Sequence, residues 1–408
     1  MTVPTPRILI IAGSDSGGGA GIQADIKTVT MLQGHAMTAI TALTAQNTLG
    51  VTGVMPVAPE FVVQQMDAVI SDIGVDAVKI GMIGSPETVH AVADRLEDLA
   101  VPIVFDPVMV ATSGSILADE ETIAAFARLM RLATVVTPNV PELSALTGRD
   151  CRSEIEGRIA AEDLASDFGC AVLAKGGHRA PEDTAQTMMM PTGEHTKDLL
   201  TDWLIIPPGR WYSWSDSRLD SRNTHGTGCT LASAIASRLA SGEPLEGAVA
   251  QARRFVRLAL LDAPGLGQGH GPMGHHRVRL DLAADGSTLN QITLAASDYE
   301  ASVAFYRLLG CRQIVASPPR YARFEVPGGV TLSIEVGDAP PSSAEIFFQC
   351  ADVDAEVARL QAAGLAFDVP PEDRRYLWRV AETCDPHGNR ICLYDPGEAR
   401  RFPPWRID

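Results

Sequence analysis

Positive charge is short in this chain. Over 408 residues, 33 Lys and Arg stand against 50 Asp and Glu, a formal charge of -17. That balance argues against nucleic acid and anionic membrane as partners, since both are bound through clustered basic side chains. Long apolar runs are missing too. Nothing approaches the ~18 consecutive residues of a membrane span. The stretch MTVPTPRILIIAGSDSGGG has no basic start and no small-residue cleavage site, so ILIIAG reads as a buried strand and the expected location is the cytoplasm. Aromatic residues make up only 5%. Cysteine is sparse and unpatterned: Cys151, Cys170, Cys229, Cys311, Cys350, Cys384 and Cys392 are odd in number, with no CxxC, which fits reduced thiols. Small anionic ligands are not excluded, because local backbone dipoles outweigh a distant net charge.

What is present is an alternation. The runs ILIIAG, AVKIG, PIVFDPVM, ATVVTPN and CAVLAKGG each end in a Gly, Pro or Asn turn. Between them lie amphipathic segments such as Pro59–Ser71, Pro86–Leu99 and Glu120–Arg131. Strands that are apolar throughout, alternating with helices, predict a parallel sheet covered on both faces. Ligands then gather at the carboxyl ends of the strands. The chain is longer than one core usually holds. After Ala263 the alternation stops at PGLGQGHGPMGHHRVR, which reads as a linker. Beyond it, QITLAASDYEASVAFYRLLG and EIFFQCADVDAEVARLQAAG align, pairing Ile292 with Ile346, Asp298 with Asp352, Val303 with Val357 and Gly310 with Gly364. Each copy holds a strand, a capping Asp, a helix and a glycine stop, followed by further strands. The pattern predicts two βαβββ modules sharing one sheet.

Two glycine motifs bear on chemistry. In GSDSGGGAGIQAD the order Gly19, Gly21, Ala24 mimics a dinucleotide fingerprint, but that fold needs an acidic residue about twenty positions on. None occurs between Asp25 and Glu60, and no GK[ST] is present either. The loop reads as a cover for a small substrate, with Asp15 and Asp25 as acceptors, or as a packing turn. In HGTGCTLASAIASRLASG, Leu231, Ile235 and Leu239 recur at helical spacing, so a helix starts near Gly228. Its first amides lack intrahelical partners, and Gly226 and Gly228 let an anion approach them. Cys229 in that turn is expected to have its thiolate favoured and could accept a proton, or else is a small buried residue. TPNVPE offers Asn139 and Glu142 to hydrated magnesium or, equally, to a helix cap. Asp106 in FDPVM and Lys175 in LAKGGH complete what an ATP-magnesium phosphoryl-transfer site needs.

AGSDSGGGAGIQADIKT, TALTAQNT, KIGMIG, FDPVM, TPNVPE, LAKGGH and NTHGTGCTLASAIA stand in the order seen in the hydroxymethylpyrimidine/phosphomethylpyrimidine kinases. Residues 7–265 resemble that family of the ribokinase-like superfamily. The resemblance implies an α/β, ribokinase-like three-layer fold with a mainly parallel sheet. It implies phosphorylation of 4-amino-5-hydroxymethyl-2-methylpyrimidine and then of its monophosphate, with ATP and Mg2+, in thiamine biosynthesis. Asp25 and Gln46 would then bind the pyrimidine, and Met82 and Val108 would line its pocket. Gly226 and Gly228 would form the anion hole. Asp106, Asn139 and Glu142 would organise magnesium and phosphates, and Lys175 and Thr224 would lie at the nucleotide. Cys229 stands where related kinases keep an aspartate base. A homodimer is the implied assembly, and a pyridoxal kinase of broad specificity is the alternative activity.

SDYEASVAFYRLLGC and DPHGNRICLYD resemble the vicinal oxygen chelate superfamily, an α+β fold of paired βαβββ modules. Its four metal-ligand positions would be Gln291, Glu335, Glu345 and Cys392, a mixed set that suits neither octahedral nor tetrahedral ions well. A metal-free binding or sensory module and a metal-dependent lyase or dioxygenase both stay open, and His387 reads as a surface residue. The expected organisation is a kinase domain at 1–265, a Gly/His-rich linker at 266–287 and the second domain at 288–408.

Overall fold

The computed structural model describes residues 5–110, 114, 117–178, 199–278, 291–326, 330–342, 344–350, 352–375 and 377–395. The chain divides into two compact units, Met1–Leu280 and Asp281–Asp408.

The first unit is built on β1 (Arg7–Asp15), β2 (His35–Gln46), β3 (Val51–Pro56), β4 (Ala77–Ile80), β5 (Ile103–Phe105), β6 (Val135–Val136), β7 (Ala171–Ala174), β8 (Leu199–Ile206) and β9 (Arg210–Ser217). They form one sheet in the order β3-β2-β1-β4-β5-β6-β7-β8-β9. The six central strands run parallel. β3, β8 and β9 pair antiparallel at the edges. The run Ile8-Leu9-Ile10-Ile11 explains the layering, because all four are fully buried and alternate between faces. Leu9 and Ile11 pack under α2 (Pro59–Asp72), α3 (Pro86–Leu96), α4 (Glu120–Leu132), α5 (Val140–Thr147) and α6 (Glu154–Phe168). Ile8 and Ile10 pack under α1 (Gly21–Met31), α7 (Thr227–Ala240) and α8 (Leu245–Leu261). This is the three-layer α/β arrangement the alternation implies. Residues 199–217, which the apolar runs do not flag, supply the antiparallel edge.

Residues 266–278 of the Gly/His-rich stretch pack on this unit. The amides of Gln268 and Gly269 donate to Thr48 Oγ1, and that of His270 donates to Thr48 O. Met273, His275 and Val278 are buried, with His275 Nε2 2.8 Å from Thr230 Oγ1. The reading of 266–287 as linker missed this, because the glycines serve close packing: a Cβ at Gly269 would lie 2.1 Å from Thr48 O.

The second unit holds β10 (Gln291–Ala296), α9 (Tyr299–Leu308), β11 (Arg312–Ser317), β12 (Tyr321–Glu325) and β13 (Thr331–Val336). The repeat follows as β14 (Glu345–Gln349), α10 (Val353–Ala362), β15 (Val369–Asp373), β16 (Arg379–Cys384) and β17 (Arg390–Asp395). Asp298 and Asp352 cap their helices, accepting from Ala301 N and Ala355 N. Where the alignment suggests a shared sheet, the described residues form two four-stranded sheets, β10-β13-β12-β11 and β14-β17-β16-β15. Each module completes its own ladder because its last strand sits between its first and its third. Side chains join the modules instead. Ile346 and Ile391 enter the core around Tyr306 and Phe324, and Tyr306 Oη donates to Asp385 Oδ2 at 2.7 Å. Among the described residues no helix is long and apolar enough to cross a membrane.

Candidate active site at the strand ends

Helix α7 opens on Gly226, whose φ of +84° only glycine adopts readily. A Cβ there would lie 2.0 Å from Gly19 O, so the two glycine loops pack directly on each other. No side chain caps this helix. Among the described residues the amides of Gly228 and Cys229 find no acceptor in the fold. These are the free donors that make a helix start attractive to anions. A Cβ at Gly228 would stand 3.3 Å from both Asp106 Oδ2 and Lys175 Nζ, so the absent side chain leaves a cradle between amides and ammonium.

Lys175 follows β7, and its Nζ donates to Asp106 Oδ1 at 2.9 Å, an oxygen that also accepts from Thr137 Oγ1. Burial disfavours the charge on both partners. The Asp106 and Glu142 carboxylates nevertheless hold Lys175 above its ordinary pKa, and Lys175 with Lys79 holds Asp106 below the usual carboxylate range. Asn139 and Glu142 form a reciprocal cap on α5: Glu142 N donates to Asn139 Oδ1, and Asn139 N donates to Glu142 Oε2. Their first job is therefore helix capping, the second of the two readings their spacing allows. Burial, with Asp106 nearby, pushes the Glu142 carboxyl up to about 7 despite Lys175.

Beneath the helix start lies a sealed ion pair. Lys79 Nζ donates to Asp25 Oδ2 at 2.8 Å, both side chains have 0% exposure, and Ser233 Oγ donates to Asp25 Oδ1 at 2.7 Å. Asp25, expected against the pyrimidine, has both oxygens engaged and no accessible surface. Its partner is the signal sequence reasoning missed: a lysine inside an apolar strand needs a buried carboxylate. The opposing carboxylate holds Lys79 above its ordinary pKa in spite of burial, while burial, with Asp106 nearby, holds Asp25 above the usual carboxylate range despite Lys79 and Ser233. Of the two readings of Cys229, the favoured thiolate is the one the surroundings oppose. Burial, reinforced by Asp25 and Asp106 and only partly offset by Lys79, pushes the thiol up to about 11. Its place in the first turn of the helix does not make it a thiolate, because burial disfavours the charged form.

On the other side of the cradle, Asp15 accepts the amides of Gly17, Gly19 and Ala20 and contacts His225 Nε2 at 2.9 Å. His225 Nε2 in turn lies 3.2 Å from the Gln46 amide at the end of β2. Neither Asp15 nor His225 is tied to its role by local spacing. Met82 and Val108, just past β4 and β5, are partly exposed, and Met82 Sδ lies against Gly13. Thr224 Oγ1 is 3.4 Å from His270 Nδ1.

The second unit does not assemble its expected ligand set. Gln291 pairs across from Thr331, four residues before Glu335 on β13, which separates the two side chains by roughly 13 Å along the strands. Glu345 is ion-paired with Arg390. Burial, with Glu382 and Glu345, pushes the Cys392 thiol up to about 12. Among the described residues no three His, Cys, Asp or Glu side chains cluster as metal ligands. His387 Nε2 donates to Ala339 O.

A nearly all-parallel three-layer sheet, with an uncapped glycine-opened helix and a lysine at its carboxyl ends, defines a ribokinase-like kinase fold. The chain belongs to the phosphomethylpyrimidine kinase family, whose model matches residues 15–274. Residues 288–393 match the glyoxalase/bleomycin resistance protein/dioxygenase superfamily. The chain is 46% identical over 276 residues to the thiamine biosynthesis bifunctional protein ThiED of Geobacter sulfurreducens, covering 67% of this chain and 53% of that protein. It is 46% identical over 281 residues to the hydroxymethylpyrimidine/phosphomethylpyrimidine kinase of Rhizobium meliloti, covering 67% of this chain and 98% of that one. The ADP complex of Bacillus subtilis pyridoxal kinase superposes with a TM-score of 0.59 at 30% identity, covering 68% of this chain and all of that one. The chain spans about half the length of the first curated relatives it matches.

Proposed function

We propose that the first unit phosphorylates 4-amino-5-hydroxymethyl-2-methylpyrimidine, and then its monophosphate, with ATP, in thiamine biosynthesis. The observation that carries the proposal is the cradle at Gly228, where two free amides and Lys175 Nζ face one side-chain-free space. Amides at a helix start and an ammonium are the donors a phosphoryl oxygen takes, and Asp106 Oδ2, as close to this point as Lys175 Nζ, is the carboxylate that a cation would have to offset. The kinase domain is taken as 1–265 together with the packed 266–278, working as a cytoplasmic homodimer. The second domain, 288–408, is taken as a ligand-binding module.

Magnesium suits the remaining donors only in part. Asn139 Oδ1 and Glu142 Oε2 are used by the cap, which leaves Asp106 Oδ2 and Glu142 Oε1 to hold a hydrated ion. When bound, that ion would neutralise charge between the phosphates. The substrate hydroxyl forms its bond to the terminal phosphorus while the bond to the bridging oxygen breaks, ADP leaves, and the hydroxyl proton is released. The transition state is loose, so positioning and charge stabilisation matter more than a strong base. The Gly228 and Cys229 amides hold the transferring oxygens and Lys175 balances their charge. With its thiol held protonated, Cys229 acts through its amide. Gln46 reads the ring edge, donating and accepting at once.

Pyridoxal kinase activity is the second reading, favoured by the Bacillus subtilis likeness. ATP consumption by the full chain on the pyrimidine alcohol, its monophosphate and pyridoxal separates the two. Turnover of the two pyrimidines is expected. Turnover of pyridoxal alone would overturn the proposal.

A further inference from the structure

We propose that Ser16 is a positioning residue, whose hydroxyl stands in for a missing strand partner and sets Gln46 against the pyrimidine edge. The inference rests on the kinase reading above and names the group that gives its ring-reading residue a fixed place.

Gln46 stands where both neighbouring ladders lapse. On one side β1 ends at Asp15, whose register partner is Thr44, and the strand runs no further. On the other side the pairing with β3 goes from Ala45↔Gly53 to Gln46↔Val51 and skips Thr52. Register breaks of this kind give up regular pairing and re-aim side chains. The Ser16 hydroxyl fills the gap on the β1 side. Its Oγ donates to Gln46 O at 2.8 Å and accepts from Gln46 N at 2.8 Å. One proton and one lone pair of a single hydroxyl thus take the place of the facing peptide groups of a ladder.

The two ends of the residue are held separately. Thr44 Oγ1 gives its proton to Ser14 O and lies 3.0 Å from the tip of the Gln46 amide, so it governs how that amide is turned. Ser16 governs where the residue stands. It also refers Gln46 to the rest of the site, because the loop that carries Ser16 packs closely on both. A Cβ at Gly17 would lie 3.2 Å from Gln46 O, and one at Gly226 would lie 2.0 Å from Gly19 O at the start of α7. Ser16 itself is exposed, so its hydroxyl fills no part of the core. Without that hydroxyl the end of β2 is free to shift, and displacements of about 1 Å are enough to matter to a bound substrate's geometry.

The test uses the full chain with MgATP and the pyrimidine alcohol. Ser16→Ala removes donor and acceptor together, and Ser16→Thr restores both. For Ser16→Ala the expected result is a KM for the pyrimidine raised about fivefold, with the KM for ATP unchanged and kcat little altered. Ser16→Thr is expected to return to within about twofold of the wild type. In a Gln46→Ala background the Ser16→Ala change should add nothing, because the side chain it places is gone. Equal KM rises for both ligands, a Thr variant no better than Ala, or an undiminished Ser16 effect in the Gln46→Ala background would overturn the assignment. Wild-type inactivity on the alcohol would instead bring down the kinase reading, a result visible before any variant is compared.

Discussion

The two units treat charge in opposite ways. In the first, Lys79 and Asp25 pair with 0% of either side chain exposed, and Asp106, Glu142 and His225 are buried around them. In the second, the ion pairs stay at the surface, as with Arg312 and Glu325 at 71% and 43% exposure. Its one deeply held carboxylate among the described residues, Asp385, accepts from Tyr306 Oη, Asn389 Nδ2 and the amides of His387 and Asn389. Burying ions costs several kcal/mol each even when they are paired. A fold keeps such ions where chemistry needs fixed charge, and avoids them where a scaffold suffices. The contrast makes the first unit the place where fixed charge is available to the proposed chemistry.

The largest break in that contrast should come from Gly228→Asp. The new carboxylate would enter the cradle beside Asp106 and capture Lys175, adding negative charge where the amides await an anion. Loss of one such donor typically lowers kcat by 10²–10³, so a fall of at least about 10³ in turnover is expected here. Circular dichroism should show the fold retained. Near-normal turnover would remove the cradle from the mechanism.

Stability sharpens the same contrast. Lys79→Met strands Asp25 as an unpaired buried carboxylate, and about 3–5 kcal/mol should be lost in urea unfolding. Asp385→Ala leaves its four donors short of an acceptor and should cost the second unit about 2–3 kcal/mol, with kinase turnover of the folded variant unchanged. If Lys79→Met is neutral, the pair is not ionised and the contrast of charge management fails.

Much of the site is legible in order along the chain, because strand ends and helix starts are local features. Asp15, Asp106, Asn139, Lys175 and Gly228 all sit where their turn residues imply. The pairings are another matter. Lys79 meets Asp25 across 54 residues and His225 meets Asp15 across 210, and no local pattern encodes such closures. The Cys229 thiol misled for a related reason: its helix position is local, but the burial that raises its pKa comes from packing. Glycines misled in the 264–278 stretch, where the same composition serves a flexible linker or a tightly packed strap. In the second unit the repeat declares the modules, while the closing of each sheet depends on which strand lies beside which.

His275 in that strap provides the smallest and most discriminating measurement. Burial, with Lys27 nearby, lowers its pKa from 6.5 to about 4, so the folded ring stays neutral where an unfolded one would take up a proton. Between pH 6.5 and 4 the unfolded chain therefore binds more protons at this site. The stability His275 contributes is fully present above pH 6.5 and is lost as pH falls toward 4, amounting to about 2 kcal/mol by pH 5. Glu142 acts in the opposite sense over an overlapping window, since its carboxyl is raised to about 7 and the fold gains as pH falls through that value. The wild-type profile alone thus mixes two signs. His275→Gln keeps an acceptor for Thr230 and cannot titrate, so the difference between variant and wild type cancels Glu142. Urea midpoints of the first unit, followed by kinase activity at pH 7 and pH 5, should show the wild type losing about 2 kcal/mol relative to the variant. An identical pH dependence in both proteins would mean the ring is accessible to protons, and the strap would be resting on the kinase unit instead of packed into it.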